Sequence, residues 1–185
     1  MRYGLRKKFK RGIIVSAMVT FRCNLDCAYC SNKFVTGEMP KSNEMTLDGW
    51  IDKLERFPIK IKEVIITGGE PFLYKHTDDL ITYLTNKGIM VAIFSNLLIR
   101  RNITYRGDLL RIEASNHLGV NQKKFYDNLD YYRSMVRVDY KKFEENKVSR
   151  GKFETENDND CLDNPRFIIA PNGRIYINKR EMLND

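Results

Sequence analysis

The chain lacks any apolar run near the roughly 20 residues that a membrane-spanning helix needs, although 42% of its 185 residues are hydrophobic. A helical membrane protein is therefore excluded on sequence grounds. The basic start MRYGLRKKFKRG is not followed by an apolar segment with a small-residue cleavage site. A secretory signal is not expected there, and the cytoplasm is the expected location. Repeats at solenoid periods and low-complexity tracts are both missing, which argues against repeat arrays. The net charge is +8, yet no RNA-recognition or zinc-finger motif accompanies it. Cysteine is scarce, at 4 residues, and three of the four stand in one run, CNLDCAYC. Clustering of that kind in a cytosolic chain favours a metal or redox site over disulfides.

What is present describes one globular domain with a real core. Arg2, Arg6, Lys7, Lys8, Lys10 and Arg11 hold much of the positive excess. A solvated basic tail is the simplest reading of them, and an acidic partner or substrate is the other. Apolar runs alternate with amphipathic ones. Ile13–Thr20 reads as a buried strand and the cysteine run follows it. Thr46 is placed to cap a helix over residues 46–57, with Trp50, Ile51 and Leu54 on one face. Residues 63–67 form a second expected strand, broken by Gly68-Gly69. A helix over 77–87 ends at Gly88. Strands are expected at 90–95, 109–115 and 136–140, with a helix over 122–135 between the last two. Such alternation implies βαβ units and a parallel sheet. Beyond it, residues 141–160 are charged and read as a loop or lid, and 166–178 reads as a hairpin turning at Pro171-Asn172-Gly173. The expected division is a basic tail over 1–12, a core over 13–140 and a lid with a hairpin over 141–185.

Ligands of parallel α/β sheets and barrels gather at the C-terminal ends of the strands. Four groups of chemically useful residues fall there. They are the cysteine run after the first strand, Gly68-Gly69-Glu70-Pro71 after the second, Ser95-Asn96 after the third, and Ser115-Asn116-His117 after the fourth. Cys23, Cys27 and Cys30 offer three thiolates. A structural zinc site wants four closing ligands, and an ordinary iron–sulfur cluster also takes four thiolates. Three with no obvious fourth suggest a cubane with one iron left open, and a zinc or plain structural cluster remains the alternative. Gly68 and Gly69 would let the backbone approach a ligand, and a side chain at Gly69 is expected to intrude on it. Glu70 can pair with a ligand ammonium. Serine and asparagine can bond sugar hydroxyls or a carboxylate. Together they describe a pocket for an amino acid joined to a nucleoside.

These motifs resemble the radical S-adenosylmethionine (radical SAM) superfamily. The likeness is carried by CNLDCAYC, with Tyr29 before the third cysteine, by ITGGEP at the next strand end, and by SN after the strand beyond it. It covers roughly residues 13–140. The resemblance implies a partial, open, parallel (β/α) TIM-like barrel of about 5–6 strands with a C-terminal hairpin. It also implies an oxidoreductase-type radical enzyme. Cys23, Cys27 and Cys30 would bind a [4Fe–4S] cluster whose fourth iron takes the amino and carboxylate groups of S-adenosylmethionine. Gly68, Gly69 and Glu70 would hold the methionine amino group, Ser95 and Asn96 the ribose, Ser115 the carboxylate or ribose, and Tyr29 the adenine. Reductive cleavage would give a 5′-deoxyadenosyl radical that takes hydrogen from a peptide, protein, nucleotide or nucleic-acid substrate. A flavodoxin- or ferredoxin-like one-electron donor is the implied partner, with no membrane involved. His117 and Cys161 are the candidate catalytic groups. A glycyl-radical-enzyme activase is a rival within the family. A non-catalytic zinc or iron–sulfur module that binds nucleic acid is the rival outside it.

Two departures from the family pattern stand out. About five strands are legible instead of six. The tail, Cys161 followed by FIIAPNGRIYIN, resembles the start of a SPASM-type extension that carries auxiliary clusters, but Asn178 stands where that extension has cysteine. One cluster is therefore expected.

Overall fold

The computed structural model describes residues 12–27, 30, 32, 43–117, 119–142 and 166–176. Tyr29, Cys161, Asn178, nearly all of the basic tail and most of the expected 141–160 loop lie outside these residues.

Strand β1 spans Ile13–Thr20 and is buried along nearly its whole length. A parallel strand covered on both faces needs apolar residues without alternation, and IIVSAMVT supplies them. Helix α1, Leu47–Glu55, starts where Thr46 Oγ1 accepts the Gly49 N–H, and its Trp50 and Leu54 are buried one turn apart. Strand β2 spans Ile61–Gly68, and a 3₁₀ turn over Pro71–Leu73 follows. Helix α2, Thr77–Asn86, buries Leu80, Ile81 and Leu84. Gly88 at φ 71° then reverses the chain into β3, Met90–Ser95. Strand β4 spans Leu110–Asn116, and α3 spans Gln122–Arg133 with Asn121 as its cap. Strand β5 spans Arg137–Lys142, β6 Arg166–Ile169 and β7 Ile175–Tyr176.

The sheet runs β5-β4-β3-β2-β1-β6-β7. Every neighbouring pair among the described strands is parallel except β6–β7. The sequence suggested about five barrel strands and a separate hairpin. The hairpin is there, but its first strand also pairs in parallel with β1, from Ile14↔Arg166 to Ala17↔Ile169. It is thus a sixth parallel strand, and it covers the β1 edge. Its turn is held by Gly173 N–H donating to Ala170 O, and Pro171 O accepts from Met45 N–H.

One face of the sheet carries the helices. Val15, Ile66 and Ile93 pack there with Trp50, Leu84 and Phe125 in one continuous core. The other face changes character across the sheet. Near β1 it is apolar, with Met18 against Ala170 and Tyr176, and Ile14 against Ile65 and Ala92. Towards β5 it is charged and open. Phe94 lies there 43% exposed in a central strand.

That contrast predicts two different costs in one sheet. Ile66→Ala should destabilise the fold by about 2–5 kcal/mol, the usual range for a buried large-to-small change. Phe94→Ala should stay within about 0.5 kcal/mol of the parent, as exposed positions do. Urea denaturation measures both. Equal losses would mean that the β3–β5 face is packed and not open.

Candidate functional site

The four groups that the strands were expected to carry lie at the C-terminal ends of those strands. Hydrogen bonds tie three of them together: the cysteine loop, the Gly68-Gly69-Glu70 turn and Ser95-Asn96. The β1–β2 ladder does not stop at the strand ends. Gly69 N–H donates to Thr20 O at 2.7 Å, and Glu70 N–H donates to Arg22 O at 2.8 Å. The backbone leading into Cys23 is therefore clamped to the Gly68-Gly69-Glu70 turn. Both glycines are required by this approach. Gly68 has φ 141°, and a Cβ on it would lie 2.0 Å from Thr20 O. A Cβ on Gly69 would lie 2.2 Å from Arg22 O. The close approach at Gly69 is thus to the cysteine loop, where the sequence suggested a ligand.

Glu70 is the centre of the rim. It is 1% exposed. Its Oε1 accepts from Phe72 N–H at 3.0 Å and Ser95 Oγ at 2.8 Å, and its Oε2 accepts from Asn96 N–H at 2.8 Å. Burial pushes its pKa up to about 7, against the pull of these three donors. The expected partner was a ligand ammonium, whereas the described structure commits the carboxylate to the protein's own donors. Ser95 likewise spends its hydrogen on Glu70 while its Oγ accepts the Leu97 N–H at 3.0 Å. Asn96 Oδ1 accepts the Leu98 N–H, and its Nδ2 donates to Asn24 Oδ1 at 2.9 Å. Ser95 and Asn96 therefore brace the rim through their own hydrogen bonds. Ser115 is half-buried on the open face of β4. Its neighbour Asn116 exchanges two hydrogen bonds with Gln122. His117 follows directly, and burial holds its pKa below the ordinary histidine value.

The cysteines sit in the loop after β1, all of intermediate exposure. Cys30 N–H donates to Cys27 O at 3.1 Å, and Leu25 N–H donates to Cys23 Sγ at 3.4 Å. Burial raises the Cys23 pKa; the Leu25 N–H opposes, and the charges of Glu70, Cys27 and Cys30 add to the rise. The three thiols are thus within electrostatic reach of one another. Among the described residues, no three metal-donor side chains are already drawn into a coordinating set.

Several residues that shape the site carry no sequence signal of their own. Glu44 accepts from Arg22 Nε at 2.7 Å and Nη2 at 2.9 Å, and from Thr20 Oγ1. Arg22 Nη2 also donates to Leu73 O at 2.9 Å, so this guanidinium braces the cysteine loop from outside. Burial raises the Glu44 pKa, but Arg22 and Thr20 outweigh it and hold the carboxyl below its ordinary range. Asn32 Nδ2 donates to Gly68 O at 2.8 Å, while its Oδ1 is buried without a hydrogen-bond partner in the described structure. Asn128 Nδ2 donates to the carbonyl of Leu97, which holds φ 54°. Asn24 lies inside the cysteine run and Asn32 and Glu44 follow it, but isolated polar residues in loops are common. Asn128 shares a buried helix face with Phe125, Leu129 and Tyr132, and a polar residue on such a face is the signal that was there to be read.

The family model described as the radical SAM superfamily matches residues 18–146. The chain belongs to that superfamily. The GTP 3′,8-cyclase of Staphylococcus saprophyticus is 37% identical over 107 residues, covering 52% of this chain and 32% of that protein. The PqqA peptide cyclase of Bradyrhizobium diazoefficiens is 32% identical over 94 residues, covering 49% and 24%. The chain spans about a third of the length of the curated GTP cyclases it matches. Among solved structures, BtrN in complex with AdoMet and 2-DOIA superposes with a TM-score of 0.63 at 16% identity, over 94% of this chain and 75% of that one. The fold is accordingly an open radical SAM barrel. The family's cofactors are a [4Fe–4S] cluster and S-adenosylmethionine.

Two predictions follow from the clamp and from Glu70. Gly69→Ala should push the cysteine loop off the turn and lower iron uptake in anaerobic reconstitution, while far-ultraviolet circular dichroism stays the same. Full iron loading would show that the clamp does not position the cysteines. Glu70 keeps its proton in the folded state up to about pH 7, whereas the unfolded chain releases it in the ordinary carboxylate range. Its contribution is therefore fully present at low pH and is lost as pH rises to about 7, by at most roughly 3 kcal/mol. Glu70→Gln should flatten that decline in urea midpoints measured from pH 4.5 to 7.5 on metal-free protein. A slope identical to the parent's would place the titration elsewhere.

Proposed function

We propose that this chain is the core of a radical SAM enzyme that cleaves S-adenosylmethionine reductively and removes hydrogen from a substrate. The observation that carries this reading is the backbone clamp between the three-thiol loop and the Glu70-anchored glycine turn. The clamp brings a donor set suited to iron beside a turn suited to an amino acid. Cys23, Cys27 and Cys30 would hold three irons of the cluster, leaving one iron for the cofactor. When bound, the cluster and S-adenosylmethionine supply an electron and a 5′-deoxyadenosyl radical.

The chain's residues do the rest. Gly68 and Gly69 would offer backbone carbonyls to the methionine amino group. The Glu70 carboxylate, poised near neutrality, would be favoured in its charged form by that ammonium. The orphaned Asn32 Oδ1, two residues beyond Cys30, is a buried acceptor that a cofactor N–H or O–H would satisfy. Ser95, Asn96 and Ser115 would face the ribose and carboxylate, and Tyr29 the adenine. His117 and Cys161 remain the candidates for moving a proton or hydrogen atom. The electron would come from a flavodoxin- or ferredoxin-like donor. The named relatives act on GTP in one case and on a peptide in the other. A nucleotide or a peptide is therefore the substrate class this reading supports. The C-terminal hairpin, with Cys161 preceding it, is what supports reading this region as a SPASM-like beginning.

Anaerobically reconstituted protein should carry about four irons per chain, the content of a [4Fe–4S] cluster. On one-electron reduction with S-adenosylmethionine it should release 5′-deoxyadenosine. Cys23→Ala, Cys27→Ala and Cys30→Ala should each lose cluster and product, whereas Cys161→Ala keeps both. Colourless protein holding stoichiometric zinc would overturn the proposal in favour of a metal-dependent binding module.

A further inference from the structure

The open face of β3–β5 is arranged in rows. Phe94 on β3 pairs with Glu113 on β4, and Glu113 pairs with Asp139 on β5. One row towards the strand starts, Ala92 pairs with Arg111 and Arg111 with Arg137. Side chains two residues apart share a face, and ion pairs confirm it here. Arg111 Nε reaches Glu113 Oε1 at 3.2 Å, and Arg137 Nε reaches Asp139 Oδ2 at 2.9 Å.

Three chemistries therefore lie in order on one surface. Phe94 is an aromatic ring exposed in a central strand of a parallel sheet, where both faces are normally covered. Glu113 and Asp139 are hydrogen-bond acceptors beside it; each is paired with one arginine and keeps acceptor capacity for a ligand on a face that no described element covers. Arg111 and Arg137 stand about 7 Å below them, two residues along each strand. Arg111 Nη2 is also paired with Glu63 Oε1 on β2 at 2.6 Å, so Arg137 carries the freer guanidinium of the two. They open into a cavity of about 790 Å³ that Arg106 and Arg133 also line, with Asp108 as the single carboxylate among its lining residues. The Arg137 side chain is 74% exposed and spends its Nε on Asp139, so its terminal amino groups face the solvent side.

We infer that this face is the substrate site and that its ligand is a nucleoside 5′-polyphosphate. The ring of the base stacks on Phe94, the sugar hydroxyls donate to Glu113 and Asp139, and the phosphates enter the arginine-lined cavity. A flat ring, a set of donors and a polyanion must follow one another within two strand spacings and two residues along a strand, about 10–15 Å. Nucleotides have that order built into them. An acidic peptide would use the arginines and leave both carboxylates facing its own charge. A basic peptide would do the reverse. The inference rests on the radical SAM reading for its chemistry, but the binding itself does not.

Equilibrium dialysis of the full chain against GTP, ATP, guanosine and adenosine tests it. Saturating S-adenosylmethionine keeps the cofactor's own nucleoside site filled. One of the triphosphates should bind saturably, and its nucleoside at least tenfold more weakly. Phe94→Ala and Arg137→Ala should each weaken the triphosphate at least tenfold, and Phe94→Tyr should preserve it. Iron content should be the same in all variants. Absence of saturable binding by either triphosphate would overturn the inference. So would affinity that is unchanged in both alanine variants, or a peptide that binds in a Phe94-dependent way while nucleotides do not. Phe94-dependent nucleotide binding in protein that takes up no iron would support this site and overturn the cluster assignment instead.

Discussion

A carboxylate buried beneath the rim is the constraint on which the site depends. Removing a charged carboxylate from water is costly unless donors replace the water. Glu70 finds three, from Phe72, Ser95 and Asn96. Two of these belong to the turn after β3, so the end of one strand is fastened to the end of its neighbour. Asn96 carries the connection onward to Asn24 inside the cysteine loop. A single acidic side chain thus sets the relative positions of three of the four groups at the rim. Burial, opposed by these bonds, leaves Glu70 near the midpoint of its titration at neutral pH. A cation arriving at the turn therefore meets a group whose charge responds to it.

The cysteine loop is held firmly at its base. Backbone bonds to Gly69 and Glu70, and the Arg22 guanidinium between Glu44 and Leu73 O, fix the residues on either side of Thr20 and Arg22. Beyond that base the thiols stay half-exposed and ungathered among the described residues. This division is physically reasonable. Three thiolates brought together without metal would repel one another; burial is the main cause of the raised Cys23 pKa, and the charges of Glu70, Cys27 and Cys30 add to it. Metal ions remove that repulsion, so folding energy is best spent on the base and metal binding on the tip.

The strands that were most legible in the sequence are those whose pattern admits one reading. IIVSAMVT and MVAIFS are apolar, short and flanked by loop residues, and their bounds in the structure coincide with the sequence reading. The rim was legible as well, because strand ends follow from strands. The role of β6 was not. RFII is a strand by pattern, but its parallel partner is β1, far away in sequence, and no local pattern encodes that choice. Gly69 was assigned to the correct rim, and its close approach to Arg22 O was not legible. A glycine announces a close approach without saying what approaches. Asn24, Asn32 and Glu44 matter only through partners that folding brings near, so nothing distinguished them from ordinary loop residues.

The two edges of the sheet complete the argument about where a substrate can go. On the β1 side the hairpin covers the edge, and Met18, Ala170 and Tyr176 fill the inner face with apolar atoms. On the β5 side the strand reads RVDYKK, mostly exposed, with Lys141 and Lys142 at its end. Charges on an exposed edge discourage pairing with another chain. They cannot be the whole reason here, because the charged pattern continues inward to Arg111 and Glu113 on β4, which is not an edge strand. A charged run that extends from β5 to Arg111 and Glu113 on β4 and to Glu63 on β2, beside the exposed Phe94 ring, is poorly explained by edge protection alone. It is well explained as a surface kept open for a polar ligand, next to the rim where the cysteines and Glu70 stand.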